Sequence, residues 1–268
     1  MESEDRMPNG IDLERPSASR VYDYLLGGAH NFEVDRRLAE RMLAAYPELP
    51  LLAQANRAFL RRAVRLLVGR GIRQFLDVGS GIPTVGHVHE IAQTAAPDAR
   101  VVYVDLDRVA VMHSREILAG NDRAVAIQED VRRPEQILQH PALTRLFDLD
   151  EPVAVLLAAL LQFLPADVDL TDIVSRLMAR LAAGSYLVIS HGTDDGPQDM
   201  APMREICRRA GIDMTWRSRD ELLALFAGCE LIEPGIVWVP QWHPELSDGT
   251  WDHPALTALY GAAGYKVA

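Results

Sequence analysis

Three aspartates stand at regular intervals in the first half of the chain, each closing an apolar run. Asp77 ends RQFLD and opens Asp-Val-Gly-Ser-Gly; Asp105 ends VVYVD, 26 positions beyond Gly79; Asp130 ends AIQED, another 25 on. If the runs are parallel strands, the acids lie where open α/β sheets bind ligands, at the carboxyl ends of the strands. An acid after the second strand can accept hydrogen bonds from both hydroxyls of a ribose. One after the third can accept from the exocyclic amino group of an adenine. Asp77 narrows the choice further. It would face a bound pyrophosphate with like charge, at a cost on the order of a few kcal/mol even at an effective dielectric of about 20, whereas a cationic group there is attracted. Gly79 and Gly81, flanking Ser80, let the backbone approach the ligand. Ile82-Pro83-Thr84 follows where a dinucleotide loop would carry its third glycine, which a ligand without a pyrophosphate does not require.

Positioning these acids requires a sheet wrapped by helices. Short apolar runs at 73–78, 100–106, 124–130, 152–160 and 185–191 read as strands, and several are almost continuously apolar, as expected when both faces are covered. Helical periodicity lies between them at about 86–96, 107–119, 134–139 and 169–182. The expected fold is therefore α/β, a Rossmann-like doubly wound sheet. Ahead of it, SASRVYDYLLGG reads as a short helix with Ser17 as N-cap, and amphipathic helices follow from Val34 to Tyr46 and from Leu51 to Val68. Beyond His191 come a polar loop and helices near 200–210 and 218–227. CELIEP and GIVWVP then suggest strands antiparallel to each other across a turn at Pro234-Gly235, and PALTALYGAAGYK suggests a final helix. Residues 1–16 read as a loosely ordered tail, and 17–268 as one domain with a helical lid (17–70) and a Rossmann-like core (71–268).

Composition excludes several functions. A net charge of -11 over 268 residues is a poor platform for nucleic acid. Cys207 and Cys229 have no metal-type spacing, the polar N-terminus does not resemble a secretion signal, and no apolar run is long enough for a membrane span. The expectation is a cytoplasmic protein with neither a membrane nor a nucleic-acid partner.

S-adenosyl-L-methionine carries the groups the acids call for: an α-ammonium at one end, a ribose diol and adenine at the other. The motifs LDVGSG, VVYVDLD and IQEDVRRP accordingly resemble the class I S-adenosylmethionine-dependent methyltransferases. SRVYDYLLGGAHNFEVDR, QANRAFLRRAV and GIVWVPQWHPE extend the likeness, from Ser17 to about Glu245, to an actinobacterial methyltransferase family whose substrates are generally unassigned. The first motif departs from the commonest form at Pro83. The resemblance implies a seven-stranded sheet with an antiparallel last strand and an N-terminal segment folded over the cofactor. It implies a cofactor site of Tyr22, Gly28, Arg57, Asp77, Gly79, Ser80, Gly81, Asp105, Leu106, Asp130, Val131 and Ala158, with Arg57 reaching the methionine carboxylate.

YDYLLGGAHNF, with Tyr22, Asp23, His30, Asn31 and Phe32 close together, reads as a lid that contacts ligand. Methyl transfer needs alignment, a dry pocket and, for a protonated acceptor, a base. His191 at the end of the fifth strand is the first candidate for that base and His30 the second. The fourth strand end has only Gln162 and Phe163 where methyltransferases in general carry a polar or aromatic motif. His87 and His89 in HVHE would face apart on a helix and so make no metal site. The acids of HGTDDGPQD could meet a cationic acceptor, and Trp238, Trp242 and Trp251 could wall its pocket. The leading expectation is a methyltransferase acting on a small molecule. The alternative is a non-catalytic protein that binds S-adenosylmethionine or S-adenosylhomocysteine as a sensor or interaction module. A nicotinamide oxidoreductase is disfavoured by Asp77 and the absent third glycine.

Overall fold

The five apolar runs form parallel strands covered on both faces. The computed structural model describes residues 14–82, 86–248 and 251–267. The strands are β1 (Gln74–Val78), β2 (Arg100–Asp105), β3 (Ala124–Gln128), β4 (Ala154–Ala158) and β5 (Tyr186–Gly192). They pair in parallel in the order β3-β2-β1-β4-β5, so the chain reverses direction across the sheet between β1 and β4. Alternate side chains feed opposite layers. Leu76, Val78, Val102 and Val104 pack with Ile137, Leu143, Ile173 and Leu177 on one face; Phe75, Val101 and Tyr103 pack with Phe59, Ala63 and Leu67 on the other. That double burial is why the runs lack a polar face.

Helices α1 (Ala18–Leu25), α2 (Glu33–Ala45) and α3 (Leu49–Gly69) precede the sheet. Crossovers carry α4 (Val88–Ala95), α5 (Arg108–Ile117), α6 (Pro134–Gln139), α7 (Pro141–Leu146) and α8 (Leu170–Ala179). After β5 come α9 (Ala201–Arg209) and α10 (Arg219–Ala224). Helix α7, absent from the sequence reading, starts after His140, whose Nδ1 accepts from the Ala142 amide at 3.1 Å, with Pro141 in the first turn. Within the segment expected as a lid, α3 behaves differently from its neighbours. It buries Phe59, Ala63, Val64 and Leu67 against the sheet layer, whereas α1 and α2 share a separate apolar cluster with α9.

The C-terminal part corrects two expectations. PALTALYGAAGYK is not a helix: a short 3-10 turn over Pro254–Thr257 leads into β8 (Leu259–Lys266), antiparallel to β5. CELIEP and GIVWVP supply β6 (Cys229–Leu231) and β7 (Val237–Trp238), but these do not pair with each other. Both lie antiparallel to β8, Leu231 opposite Gly264 and Val237 opposite Gly261, as two pieces of one interrupted strand. The glycines of this run are there for close approach. A Cβ on Gly261 would lie 2.8 Å from Phe59 Cε2 and 3.0 Å from Val239 Cγ1. Among the described residues the sheet thus has eight strands, mostly parallel, with the last strand antiparallel. Residues 1–13 of the expected tail (1–16), and Pro83, lie outside the described residues.

Candidate functional site

A cleft of about 430 Å³ opens at the carboxyl ends of β1, β2 and β3, where the strand order reverses. Asp77 is 4% exposed and lines it, and among the described residues nothing donates a hydrogen bond to its carboxylate. Burial pushes its pKa up to about 7, opposed by the Arg57 guanidinium and reinforced by the Asp105 charge. The loop beyond it is held close to β2. The amides of Gly79 and Ser80 both donate to the Val104 carbonyl, at 2.7 and 3.2 Å. Gly79 and Gly81 have φ of +71° and +67°, which glycine adopts without strain. At Gly79 the space is also closed, since a Cβ would sit 2.5 Å from Leu160 Cδ1.

Asp105 does more than the strand-end reading expected. Its Oδ2 accepts from the Gly81 amide at 2.8 Å and its Oδ1 from the Asp107 amide at 2.8 Å, so it braces the glycine loop while lining the cleft. Burial raises its pKa to about 6 against these donors. Leu106 is 58% exposed, an apolar side chain at the cleft wall with Val131 also in the lining. Asp130 lines the cleft as well. Its two carboxylate oxygens already accept from Arg132 Nε at 3.0 and 2.9 Å, and this guanidinium holds its pKa below the usual range. Ser80, Arg57, Ala158 and Tyr22 complete the predicted residues present in the cleft.

The N-terminal segment closes one side. Ser17, Ala18, Ser19 and Tyr22 line the cleft. Ser17 does not cap α1 through its side chain; instead its hydroxyl, like that of Ser19, donates to Asp107 Oδ2. Asp107 Oδ1 meanwhile caps α5 by accepting from the Val109 amide at 2.8 Å. One carboxylate therefore joins α1 to the end of β2. Asn56 is buried and lines the cleft, donating to the Tyr22 hydroxyl at 3.0 Å and accepting from Ser190 Oγ. Sequence reasoning missed Asn56 and Asp107. Asp107, two residues past the strand-end acid in VVYVDLD and just before α5, carried a legible N-cap signal; Asn56 looked like any polar helix residue.

Several predicted residues go elsewhere. Gly28 sits outside the cleft lining, packed so closely that a Cβ would lie 2.0 Å from Asp23 Oδ1. Asp23 accepts from the His30 amide and Asn31 Nδ2 at 2.9 and 2.8 Å, so of the YDYLLGGAHNF stretch only Tyr22 reaches the cleft. His30 is exposed and its ring lies against His113 at a tilt of 55°, centroids 4.2 Å apart. His191 is fully buried outside the cleft, with Nδ1 2.7 Å from the Gly192 carbonyl and Nε2 3.0 Å from Arg217 Nη1. Burial pushes its pKa down to about 4. His87 and His89 do not face apart: His87 precedes α4 as its N-cap, and the two rings stack with centroids 5.3 Å apart. Among the described residues no group of three metal-ligating side chains occurs. The loop acids serve the loop, Asp194 pairing with Arg204 and Asp195 accepting from the Arg219 amide. Trp238 stacks on Tyr260 and Trp242 packs edge-on against Phe59, both outside the cleft. Of the tryptophans among the described residues, Trp216 lines an adjoining apolar cavity, with Phe163 and Tyr22 shared between that cavity and the cleft.

No helix among the described residues is long and apolar enough to cross a membrane. The sequence matches the S-adenosyl methyltransferase family over residues 4–267. A DUF574 family protein from Streptomyces avermitilis MA-4680 is 38% identical, with 95% of this chain and 99% of that one covered and a TM-score of 0.91. A provisionally assigned methyltransferase from Thermobifida fusca YX is 39% identical, with 98% and 100% covered and a TM-score of 0.92. The N-methyltransferase NodS from Bradyrhizobium japonicum WM9, solved with S-adenosyl-L-homocysteine, shares the fold at 15% identity and a TM-score of 0.51, with 92% and 98% covered. No curated protein matches the chain in sequence. The family match covers nearly the whole length and two actinobacterial structures superpose across the entire fold: this chain belongs to the S-adenosyl methyltransferase family.

Proposed function

We propose that the chain is an S-adenosyl-L-methionine-dependent methyltransferase acting on a small molecule, with the cofactor lying along the carboxyl ends of β1, β2 and β3. The observation that carries this reading is the cleft's donor set, above all Asp77: a buried carboxylate with no hydrogen-bond donor among the described residues, suited to a ligand that brings its own cation. The bound cofactor supplies an electrophilic methyl group. The chain's residues hold it in place. Asp77 receives the α-ammonium and Arg57 the carboxylate. Asp105 takes the ribose hydroxyls on lone pairs left by Gly81 and Asp107. Leu106 and Val131 cover the adenine faces, and Asp130 accepts the amino group on lone pairs left by Arg132. Ala158 keeps the methionine end uncrowded. Helix α1 acts as the lid, excluding water from the cleft, while α3 belongs to the scaffold. His191 and His30 lie outside the cleft, so the chain's contribution is alignment and desolvation, with neither histidine as a base.

A small-molecule acceptor accords with the net charge of -11, which opposes a polyanion. Calorimetry tests the cofactor reading. S-adenosylhomocysteine should bind the wild type, NADH should not, and Asp105→Ala should weaken binding by at least about tenfold, as loss of hydrogen bonds to a charged group implies. Binding of NADH in place of S-adenosylhomocysteine would sink the reading. The alternative, a non-catalytic binder, requires that no acceptor space adjoin the methionine end; the apolar cavity beside Ala159 and Phe163 favours transfer instead.

A further inference from the structure

Beside the cofactor cleft lies a second, smaller cavity of about 70 Å³. The two share Ala18, Tyr22, Ala159 and Phe163, so the second opens at the end of β4, the side on which the methionine part of the cofactor is placed. Its wall is apolar, and no charged side chain lines it among the described residues. Four of the chain's eight methionines, Met42, Met200, Met203 and Met214, face it together with Trp216. Gln162 contributes an amide to it. It is 5% exposed, and its amide oxygen is buried with no hydrogen-bond partner. A buried, unpaired amide costs free energy unless a ligand completes it. The wall is also strained: of the three non-glycine residues with positive φ among the described residues, Ala159 (φ 53°) and Ala258 (φ 46°) both belong to it.

We propose that this cavity binds the methyl acceptor, and that the acceptor is an uncharged, predominantly apolar small molecule carrying one hydrogen-bonding N–H or O–H that pairs with Gln162. This rests on the cofactor reading above and adds the substrate class to it. Charge is excluded because an ion entering this wall would meet no counter-charge. Size follows from the methionines. A cavity of roughly 150 Å³ is what accepts benzene, so a ring enters here by displacing thioether side chains, which repack readily. Nor does the wall offer a base at neutral pH, because burial pushes the Cys207 thiol up to about 11 and raises the Tyr22 phenol. The nucleophilic atom must therefore carry its own available lone pair.

Indole and indene, equal in shape but differing in one N–H, are suitable probes. With the protein saturated in S-adenosylhomocysteine and its methionine methyls labelled with carbon-13, indole should shift the resonances of Met200 and Met203. It should bind about tenfold more tightly than indene, the effect of one buried hydrogen bond. Gln162→Leu should make the two probes bind equally. Met203→Trp, which fills the cavity, should abolish both while leaving S-adenosylhomocysteine affinity within about twofold. Should Met203→Trp fail to fold, the Gln162→Leu comparison decides alone. Absence of methionine shifts with S-adenosylhomocysteine bound, equal binding of the two probes to the wild type, or tighter binding of benzoate or benzylammonium than of indole would overturn the acceptor pocket and leave the cofactor reading standing. Failure of S-adenosylhomocysteine itself to bind would overturn both.

Discussion

Asp77 and Asp105 carry the clearest electrostatic signature. Burial raises both above the usual carboxylate range, to about 7 and about 6. Because the folded chain holds these protons more tightly than the unfolded chain, unliganded stability from these groups is fully present below the ordinary value of 3.8, declines as pH rises from there, and is lost once pH has passed through about 6 to 7. Under the proposed placement of the cofactor, binding runs the opposite way, since an ammonium beside Asp77 is attracted only when that carboxylate is ionised. Calorimetric titration across pH should therefore show S-adenosylhomocysteine binding weakening below pH 7 by up to about tenfold per unit, with proton release on binding. Asp77→Asn should bind more weakly and retain only the component near pH 6 that belongs to Asp105. A pH-independent affinity in the wild type would contradict this account. His191 gives a contrasting expectation. Removing a fully buried ring bonded to Gly192 and Arg217 should cost about 1–3 kcal/mol in denaturant unfolding. Cofactor affinity should stay within about twofold, because the ring lies outside the cleft.

At the scale of elements, β8 shows how packing overrides local preference. Ala262 and Ala263 favour helix in isolation while Gly261 and Gly264 disfavour it, and β8 lies between β5 on one edge and β6 and β7 on the other, where close approach matters more than propensity. Gly261→Val should be strongly destabilising, about 2–4 kcal/mol, since even its Cβ would press on Phe59 of α3 and on Val239. Chemical denaturation checks this; a neutral result would mean that α3 and the strand separate without cost. The five parallel strands were legible because their apolar runs are bounded by acids and glycines. The interruption between β6 and β7 was not, because two short runs around Pro-Gly fit a hairpin equally well and only their common partner distinguishes the cases.

Across the whole molecule, the N-terminal helix and the sheet are coupled through Asp107. Its Oδ1 caps α5 while its Oδ2 holds Ser17 and Ser19. Asp107→Asn keeps an acceptor for the cap and removes the charged one for the serines. Hydrogen exchange should accordingly show faster exchange over 18–25 in this variant, slowed again by S-adenosylhomocysteine if α1 closes over it. Unchanged exchange in the variant would mean that the apolar contacts of Val21 with α2 and α9 suffice to hold the helix.

The order of acids and glycines along the chain determined the cofactor class, because residue type and strand-end position are both local properties and carboxyl ends of parallel strands converge by geometry. It also determined the α/β alternation. Tertiary structure alone decided which polar residues face the cleft. His191 and Gly28 fit a site by type and position, but the pleat of β5 and the packing around Asp23 turn them away from it. The same holds for the apolar cavity, whose methionines come from α2, α9 and the segment after it, and whose tryptophan is Trp216. No spacing rule links those positions, because a wall assembled from separate helices exists only once they pack together.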